Sequence, residues 1–250
     1  MDNLTKTISN RYAGGGLYFK GEYDKDAFNE VVKTKENFPF KEIKTRYVPR
    51  SLQRYNLIYD EFMEYVHENV LDVGSRDDRA EKILGLPCTL IDKNNFNNTV
   101  WDWEKTTIPF PNQSFQTVLC LDTLEHVNDI HSSFADLARV TEKYLIISLP
   151  NCWRKLLKPM LKGTAGPASY GIPPEKSQDR HKWYFNTSDA ENFLFYNAAK
   201  HGFEVAAVGY HVPRVEWHHQ VRYAILKVLF SEERYKNWLT ETFFVVLKRK

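Results

Sequence analysis

Residues 70–92 read VLDVGSRDDRAEKILGLPCTLID, and this stretch decides the fold. A four-residue apolar run leads directly into Gly74, and a second apolar run ends in Asp92. Between them, residues at helical spacing stop at Gly85, a typical helix terminator. Strands that are apolar on both faces and alternate with helices indicate a parallel sheet with helices on each side.

The same alternation continues along the rest of the chain. Apolar residues at helical spacing predict helices, and short apolar runs predict strands. The predicted helices lie at 51–67, 79–84, 130–141, from Ser188 to near Gly202, and at 217–230. The predicted strands lie at 70–73, 89–91, 117–121, 144–149, 203–210 and 243–247. Asn128 or Asp129 is expected to cap the third helix, and Ser188 with Glu191 has the spacing of a capping box for the fourth.

The composition limits the class of protein. The chain has 250 residues, and the 42% that are hydrophobic exclude general disorder. A formal net charge of +2 does not favour DNA binding, and three cysteines fit a reducing compartment. No apolar run approaches the ~20 residues that span a bilayer, and the first residues lack the apolar core of a signal peptide. We therefore expect a cytoplasmic protein without a transmembrane segment.

The ends of the first two strands predict a nucleoside site. In an open parallel sheet, ligands bind beyond the carboxyl ends of the strands, where the strand order reverses. Gly74 lets the backbone turn tightly and approach a ligand. Asp92 follows Asp72 by 20 residues, a separation typical of a carboxylate that accepts hydrogen bonds from ribose hydroxyls. The alternative is an ordinary turn with a surface carboxylate.

Four stretches resemble the small-molecule branch of the class I S-adenosylmethionine-dependent methyltransferases. They are VLDVGS at 70–75, LID at 90–92, IPFPNQSF at 108–115 and VLCLDTLEHV at 118–127. The resemblance implies an α/β fold with a doubly wound, mostly parallel, seven-stranded Rossmann-like sheet. It implies one domain over residues 1–250, with an N-terminal cap segment at 1–50 and a lid insertion at 152–186, after the fifth strand.

The resemblance also implies S-adenosylmethionine as the cofactor and a set of residues that contact it. The set follows the cofactor from its methionine end through the ribose to the adenine, and then to the sulfonium. In that order it comprises Asp72, Gly74, Ser75 and Arg76; Asp92 and Lys93; Asp102 and Trp103; and Leu121 and Asp122. The sequence departs from the family pattern where Arg76 and Asp78 replace the usual glycines, so the loop is expected to take a different path.

Two histidines are candidates for proton removal from the methyl acceptor. His126 follows the 117–121 strand, and His181 precedes the helix at Ser188. Either could act as a general base at neutral pH, or simply pack beside the cofactor. Asp122, Glu125, His126 and His181 are also similar to the metal cluster of a small-RNA methyltransferase family. We nevertheless predict no metal site, because scattered N and O ligands on loops are a weak pattern.

The insertion carries a concentrated positive charge. Residues 152–184 contain seven Lys or Arg and two acids, an excess of five positive charges. Such a segment can attract an anionic substrate, and Arg180, Arg154 and Lys155 are the candidate contacts; the alternative is a solvated basic loop.

We predict methyl transfer to a small anionic metabolite, such as a sugar or phosphorylated precursor of a surface glycan. The alternatives are an RNA-modifying methyltransferase and a non-catalytic binding module. The sequence leaves the acceptor atom and the oligomeric state open.

Overall fold

The strands around residues 70–92 lie in the middle of a single eight-stranded sheet. The structure is a computed structural model that describes residues 24–43, 53–94, 99–164, 166–167, 169–172, 174–175, 180–212 and 226–250. The strands are β1 (Glu42–Ile43), β2 (Val70–Val73), β3 (Cys88–Asp92), β4 (Thr99–Val100), β5 (Phe115–Leu121), β6 (Thr141–Pro150), β7 (Phe203–His211) and β8 (Thr242–Arg249). The helices are α1 (Lys25–Asn37), α2 (Gln53–Phe62), α3 (Arg79–Leu84), α4 (Ile130–Val140), α5 (Cys152–Lys162), α6 (Thr187–Lys200) and α7 (Glu232–Leu239).

The strand order places a ligand crevice at the centre of the sheet. The order is β1-β7-β8-β6-β5-β2-β3-β4, and every pair is parallel except those that β8 makes with β6 and β7. The chain moves outward from β2 to β3 and β4, then returns to the other side of β2 as β5. Strand order therefore reverses between β2 and β5, where the carboxyl ends of a parallel sheet receive ligands.

Both faces of the sheet are covered, as the doubly wound prediction requires. Along β5, Val118 and Cys120 pack into the core on one face, while Leu119 and Leu121 pack into the core on the other. Helices α1, α4 and α6 supply apolar residues to the first core, and α2 and α3 supply them to the second. The central strands thus bury both faces, which explains why they appear in the sequence as continuous apolar runs.

The sheet has eight strands where seven were predicted, and the six strands placed along the sequence include neither β1 nor β4. Each of these has two residues: β1 pairs in parallel with β7 and matches Glu42 with Tyr210, and β4 pairs in parallel with β3. A two-residue strand has no period that a sequence can reveal, since its pairing depends only on the partner strand. The predicted helix at 51–67 is also shorter, because α2 ends at Phe62 and a 3-10 turn, Met63–Tyr65, follows it.

The predicted capping box of α6 was wrong by two residues. Asn186 is the N-cap and exchanges hydrogen bonds with Asp189, whereas the prediction used Ser188 and Glu191. Glu191 is instead buried and accepts a hydrogen bond from the Tyr210 hydroxyl. For α4, Asp129 is the cap, one of the two expected residues.

Three other predictions concern segments that the structure describes only in part. Of the predicted helix at 217–230, the described part is helical at 226–229. The expected N-terminal cap segment contributes α1 and β1 from its described residues. The expected lid insertion begins with the eleven-residue helix α5, which Asn151 caps and Gly163 ends at a φ of +63°. Among the described residues, no helix combines the length and apolarity needed to cross a membrane.

Candidate active site at the carboxyl ends of the strands

A cavity of about 990 Å³ opens at the carboxyl ends of β2, β3 and β5. Most of the residues predicted from the sequence meet on its walls, although they come from six separate stretches of chain. The predicted residues on the walls are Gly74, Arg76, Asp92, Lys93, Asp102, Trp103, Asp122, His126, Lys155 and His181. Its size is at the upper end of the range for small-molecule and cofactor sites.

Gly74 is required by the shape of the cavity. Its φ is +82°, and a Cβ at this position would lie 2.4 Å from Oγ1 of Thr123, which also lines the cavity. The Gly74 N–H donates to the carbonyl of Ile91 and so ties the loop to β3. Arg76 and Asp78 occupy ordinary backbone, since positive φ outside glycine occurs among the described residues only at Asn69, Gln113 and Asp122. The two missing glycines therefore impose no strain on this loop.

Three predicted cofactor residues lie behind the cavity wall rather than on it. Asp72 is buried and accepts a 2.7 Å hydrogen bond from the Tyr55 hydroxyl. Burial raises the pKa of Asp72 to about 6. Ser75 donates its hydroxyl to the carbonyl of Asp77, and Leu121 is buried with its carbonyl accepting from Arg54. These residues shape the loops that line the cavity, and their side chains do not face it.

The side of the cavity where the sequence predicts the ribose and adenine contacts is formed by the ends of β3 and β4. Asp92 ends β3 on the wall, and its Oδ1 accepts hydrogen bonds from the backbone and side chain of Asn94, at 2.7 and 3.0 Å. Trp101 and Trp103 meet edge to face, with ring centroids 4.8 Å apart. The indole N–H of Trp103 is buried and has no hydrogen-bond partner in the described structure. A buried donor without a partner in a cavity wall is typical of a site that a polar ligand completes.

Asp122 stands at the end of β5 in a left-handed conformation, with a φ of +48°. Its Oδ1 accepts from the Ser148 hydroxyl at 2.7 Å, and its Oδ2 lies 2.9 Å from Nε of Arg54. The charge of Asp122 raises the pKa of Arg54. Non-glycine residues in this region carry strain that the surroundings must hold in place, which is common at functional sites.

Glu125, His126 and His181 form a cluster on the cavity wall. Nε2 of His126 lies 3.7 Å from Oε1 of Glu125, and the two imidazole centroids are 4.6 Å apart. Nδ1 of His126 is 3.1 Å from the carbonyl of Arg180, which fixes the ring. Burial and the nearby Asp122 carboxylate raise the pKa of Glu125 well above its usual range.

The same cluster could hold a metal ion. One ligand atom from each of Glu125, His126 and His181 lies within 4.8 Å of the others. The second carboxylate oxygen of Glu125 is buried without a hydrogen-bond partner. The grouping is compatible with a small divalent cation, and equally with a general base beside a protonated carboxyl group. The expectation that the protein has no metal stays a prediction.

The end of the insertion is fastened onto this cluster. The Lys182 N–H donates to the carbonyl of Glu125 at 2.7 Å, and the Trp183 indole donates to the carbonyl of Val127 at 2.9 Å. The Lys182 ammonium also lies 3.1 Å from Oε1 of Glu104. Together these bonds hold residues 182–183 against the wall of the cavity.

The basic residues of the insertion separate into two groups. Lys155 lines the cavity. Arg154 instead lies 3.9 Å from the Glu241 carboxylate, and Arg180 has a buried Nε and a carbonyl that faces His126. Neither arginine is on the wall of this cavity or of the neighbouring one. The structure therefore favours Lys155 over both arginines as a contact for an anionic substrate.

A second cavity of about 360 Å³ adjoins the first. Arg54, Asp122, Lys155 and Ser169 line both cavities, and the second continues between α2, the insertion and β8. His211 lines its inner end, where burial lowers the pKa of the imidazole. The remaining polar walls are Tyr170, Glu241 and Thr242.

Sequence reasoning missed several of these residues. Arg54 and Tyr55 lie in α2, which the sequence marks only as an amphipathic helix, and His211 ends a strand of the closing hairpin. They reach the site through pairings with residues far away in the chain, such as Arg54 with Asp122 and Tyr55 with Asp72. No spacing in the sequence connects them to the cofactor motifs.

The residues on the first cavity fit S-adenosylmethionine. Gly74 provides room that a Cβ would fill, Asp92 presents a carboxylate suited to a diol, and the Trp103 N–H is an unsatisfied donor. All three positions are ones that the sequence predicted for this cofactor.

Comparisons with known proteins find a family model and solved structures to which the chain is similar. Residues 90–147 match a family model described as a methyltransferase domain. A crystal structure of a SAM-dependent methyltransferase from Archaeoglobus fulgidus has a TM-score of 0.51 at 15% identity, covering 80% of this chain and 95% of that one. Magnesium protoporphyrin IX methyltransferase from Synechocystis PCC 6803, solved with bound SAH, has a TM-score of 0.46 at 13% identity, covering 98% and 100%. No curated protein matches the chain.

The matched residues include β5, the 118–127 stretch and Asp92, and the solved structure from Archaeoglobus supports the fold. The predicted fold, cofactor and enzyme class are therefore confirmed. Residues 90–147 match a methyltransferase domain, and the chain is therefore a methyltransferase whose first cavity fits S-adenosylmethionine.

Proposed function

We propose that the protein transfers a methyl group from S-adenosylmethionine to a small anionic metabolite held in the second cavity. The observation that carries the proposal is the junction of the two cavities, where Arg54 and Lys155 line both. A cofactor in the first cavity would direct its methyl group toward this junction, and two cations there suit a phosphate or carboxylate. A phosphorylated sugar is the acceptor class that we consider first.

The cations at the junction differ in what holds them. Arg54 is paired with Asp122, so its guanidinium is fixed in position and partly neutralised. Lys155 comes from α5, whose first turn is anchored by Asn151 and by the buried Cys152. We assign Lys155 to the acceptor's negative charge and Arg54 to the shape and charge balance of the junction.

S-adenosylmethionine supplies the electrophilic methyl group, so the protein has to orient the acceptor, exclude water and accept any proton that leaves. His126 and His181 line the cofactor cavity and are the proposed bases for a hydroxyl or amine acceptor. The carbonyl of Arg180 fixes the His126 ring by accepting from Nδ1–H, which leaves Nε2 as the proton acceptor. Burial and the nearby Asp122 carboxylate raise the pKa of Glu125, beside that ring, and so favour its neutral form.

The proposal is tested by comparing methyl acceptors that differ in charge. Sugars with and without a phosphate are compared by measuring the S-adenosylhomocysteine formed, first with the wild type and then with Lys155→Gln. We expect the phosphorylated acceptors to be preferred, and Lys155→Gln to raise their KM by roughly 10–100-fold through the loss of a charge-assisted hydrogen bond of ~1.5–3 kcal/mol. Lys82→Gln is the matched control, because Lys82 is exposed on α3 and pairs with Asp78.

Two outcomes would contradict the proposal. Equal kcat/KM for neutral and phosphorylated acceptors would remove the reason for an anionic substrate, and an unchanged KM in Lys155→Gln would remove the assigned contact. Methylation of RNA with a steep dependence on salt concentration would favour the nucleic-acid alternative.

A further inference from the structure

Helix α5 (Cys152–Lys162) connects the active site to the protein surface. Its first residue, Cys152, is fully buried, with Sγ 3.8 Å from Nδ1 of His181. One turn later, Lys155 lines both cavities. The helix ends at Gly163, eight residues beyond Lys155. Its first turn therefore contributes to the active site.

The outer face of α5 carries large apolar side chains in water. Trp153 is 58% exposed, Met160 72% and Leu161 75%. Positions seven and eight residues apart lie on the same side of a helix, so these three side chains form one stripe. A helix normally turns such a stripe toward the core, and an exposed one marks an interaction surface.

Exposed apolar residues are concentrated in the insertion as a whole. Half of the ten large apolar side chains that are exposed among the described residues come from 152–186. They are Trp153, Met160, Leu161, Ile172 and Tyr184. A stretch of 35 residues out of 250 thus holds five of the ten, far above its share of the chain.

Basic residues accompany the apolar stripe. Four of the eleven residues of α5 are Lys or Arg, and none is acidic. Arg154 pairs with Glu241 and Lys155 lines the cavities, whereas Lys162 in the last turn is exposed next to Leu161. A helix with an exposed Trp/Met/Leu stripe and charges that are all basic is typical of one that lies in the interface of a negatively charged bilayer.

We propose that α5 docks on the surface of a membrane that contains anionic lipid, with Trp153, Met160 and Leu161 inserted at the headgroup boundary. Charge decides between this occupant and a second copy of the chain. Two copies that buried the stripe against each other would bring together two helices that carry basic but no acidic residues, which costs free energy. An anionic bilayer instead meets the exposed Lys162 with opposite charge. Docking requires neither cofactor nor acceptor, so the proposal stands apart from the proposed function.

Vesicle binding tests the proposal. The full chain is sedimented with vesicles of phosphatidylcholine alone, or of phosphatidylcholine mixed with phosphatidylglycerol. We expect binding to the mixed vesicles that falls with added salt, and much weaker binding to the neutral ones. Met160→Ser/Leu161→Ser should weaken binding by at least tenfold, and Lys162→Gln by about fivefold, since each basic residue near the surface contributes ~1 kcal/mol.

The controls distinguish docking through α5 from nonspecific hydrophobic adsorption and from unfolding of the protein. Tyr59→Ser and Val100→Ser remove large exposed apolar side chains elsewhere, from α2 and β4, and should leave binding unchanged. All substituted side chains are exposed, so the melting temperature should stay within a few degrees of the wild type. Lys162→Gln provides a second test that leaves the apolar stripe intact.

Three results would overturn the proposal. The first is a wild-type chain that does not bind the mixed vesicles. The second is Met160→Ser/Leu161→Ser binding as tightly as Tyr59→Ser. The third is a wild-type dimer in size-exclusion chromatography that the double variant converts to a monomer, with no vesicle binding by either, because a second copy would then cover the stripe.

Discussion

Replacing Gly74 by alanine tests whether this residue shapes the cofactor cavity. The substitution has two separate costs. Alanine at a φ of +82° resists the left-handed conformation by ~1–2 kcal/mol, and its Cβ would lie 2.4 Å from Oγ1 of Thr123. Relief of that overlap by movement of the loop costs a further ~1–3 kcal/mol. We therefore expect Gly74→Ala to lower the free energy of unfolding by about 2–5 kcal/mol.

Gly85 provides a matched control for the backbone cost. It ends α3 with a φ of +70°, and nothing lies within 4 Å of a Cβ built on it. Gly85→Ala should therefore lose only the ~1–2 kcal/mol of strain. The difference between the two variants isolates the overlap with Thr123. In a double-mutant cycle with Thr123→Gly, the cost of Gly74→Ala should fall to that of Gly85→Ala.

Urea unfolding measures the stabilities, and calorimetry with S-adenosylhomocysteine measures the effect on the site. Gly74 and Thr123 both line the first cavity, so Gly74→Ala should also weaken cofactor binding, while Gly85→Ala should not. Equal destabilisation by the two alanine variants would refute the steric argument. Unchanged binding by Gly74→Ala would show that the cofactor does not use this wall.

Three further changes test other parts of the site. Asp92→Ala should weaken S-adenosylhomocysteine binding, measured by calorimetry, by one to two powers of ten, about 1.4–2.8 kcal/mol. Asp78→Ala is the control, because Asp78 lies outside the cavity lining, and it should leave binding unchanged. In steady-state kinetics, His126→Ala or His181→Ala should lower kcat by roughly 10²–10⁴ and leave cofactor affinity intact. If both variants keep the wild-type kcat, neither histidine is the general base. Because the folded-state pKa of Asp72 is raised to about 6, its ionisation should lower the free energy of unfolding by about 2 kcal/mol as the pH rises from 4 to 6. Urea unfolding should show no such decrease in Asp72→Asn.

The parts of the fold that could be predicted are those encoded by neighbouring residues. The runs that form β2, β3 and β5 are apolar on both faces because the central strands are covered on both sides, and this signal needs no knowledge of the partners. Gly74 and Asp92 were predictable for a similar reason, since each follows directly after a strand whose end must face the crevice. Local sequence thus determines both the order of the elements and the residues at their ends.

The wrong predictions concern residues whose positions depend on partners far away in the chain. The capping box at Ser188 fits the local pattern, but Glu191 has a stronger alternative in the buried network with Lys35, Lys236 and Tyr210. Burial of that network fixes where the helix lies, so the capping role passes to Asn186. The two arginines assigned to the substrate show the same limit. Charge alone predicted them, whereas the fold directs Arg154 toward Glu241.

Asp122 shows why the junction of the two cavities lay beyond sequence analysis. The motif placed this residue near the cofactor, but its backbone conformation depends on what surrounds it. A φ of +48° persists because Ser148 from β6 binds both its backbone N–H and its carboxylate. Arg54, 68 positions earlier in the chain, holds the other carboxylate oxygen and the carbonyl of Leu121. Three elements therefore hold one carboxylate at the junction of the first and second cavities, and only the assembled sheet brings them together.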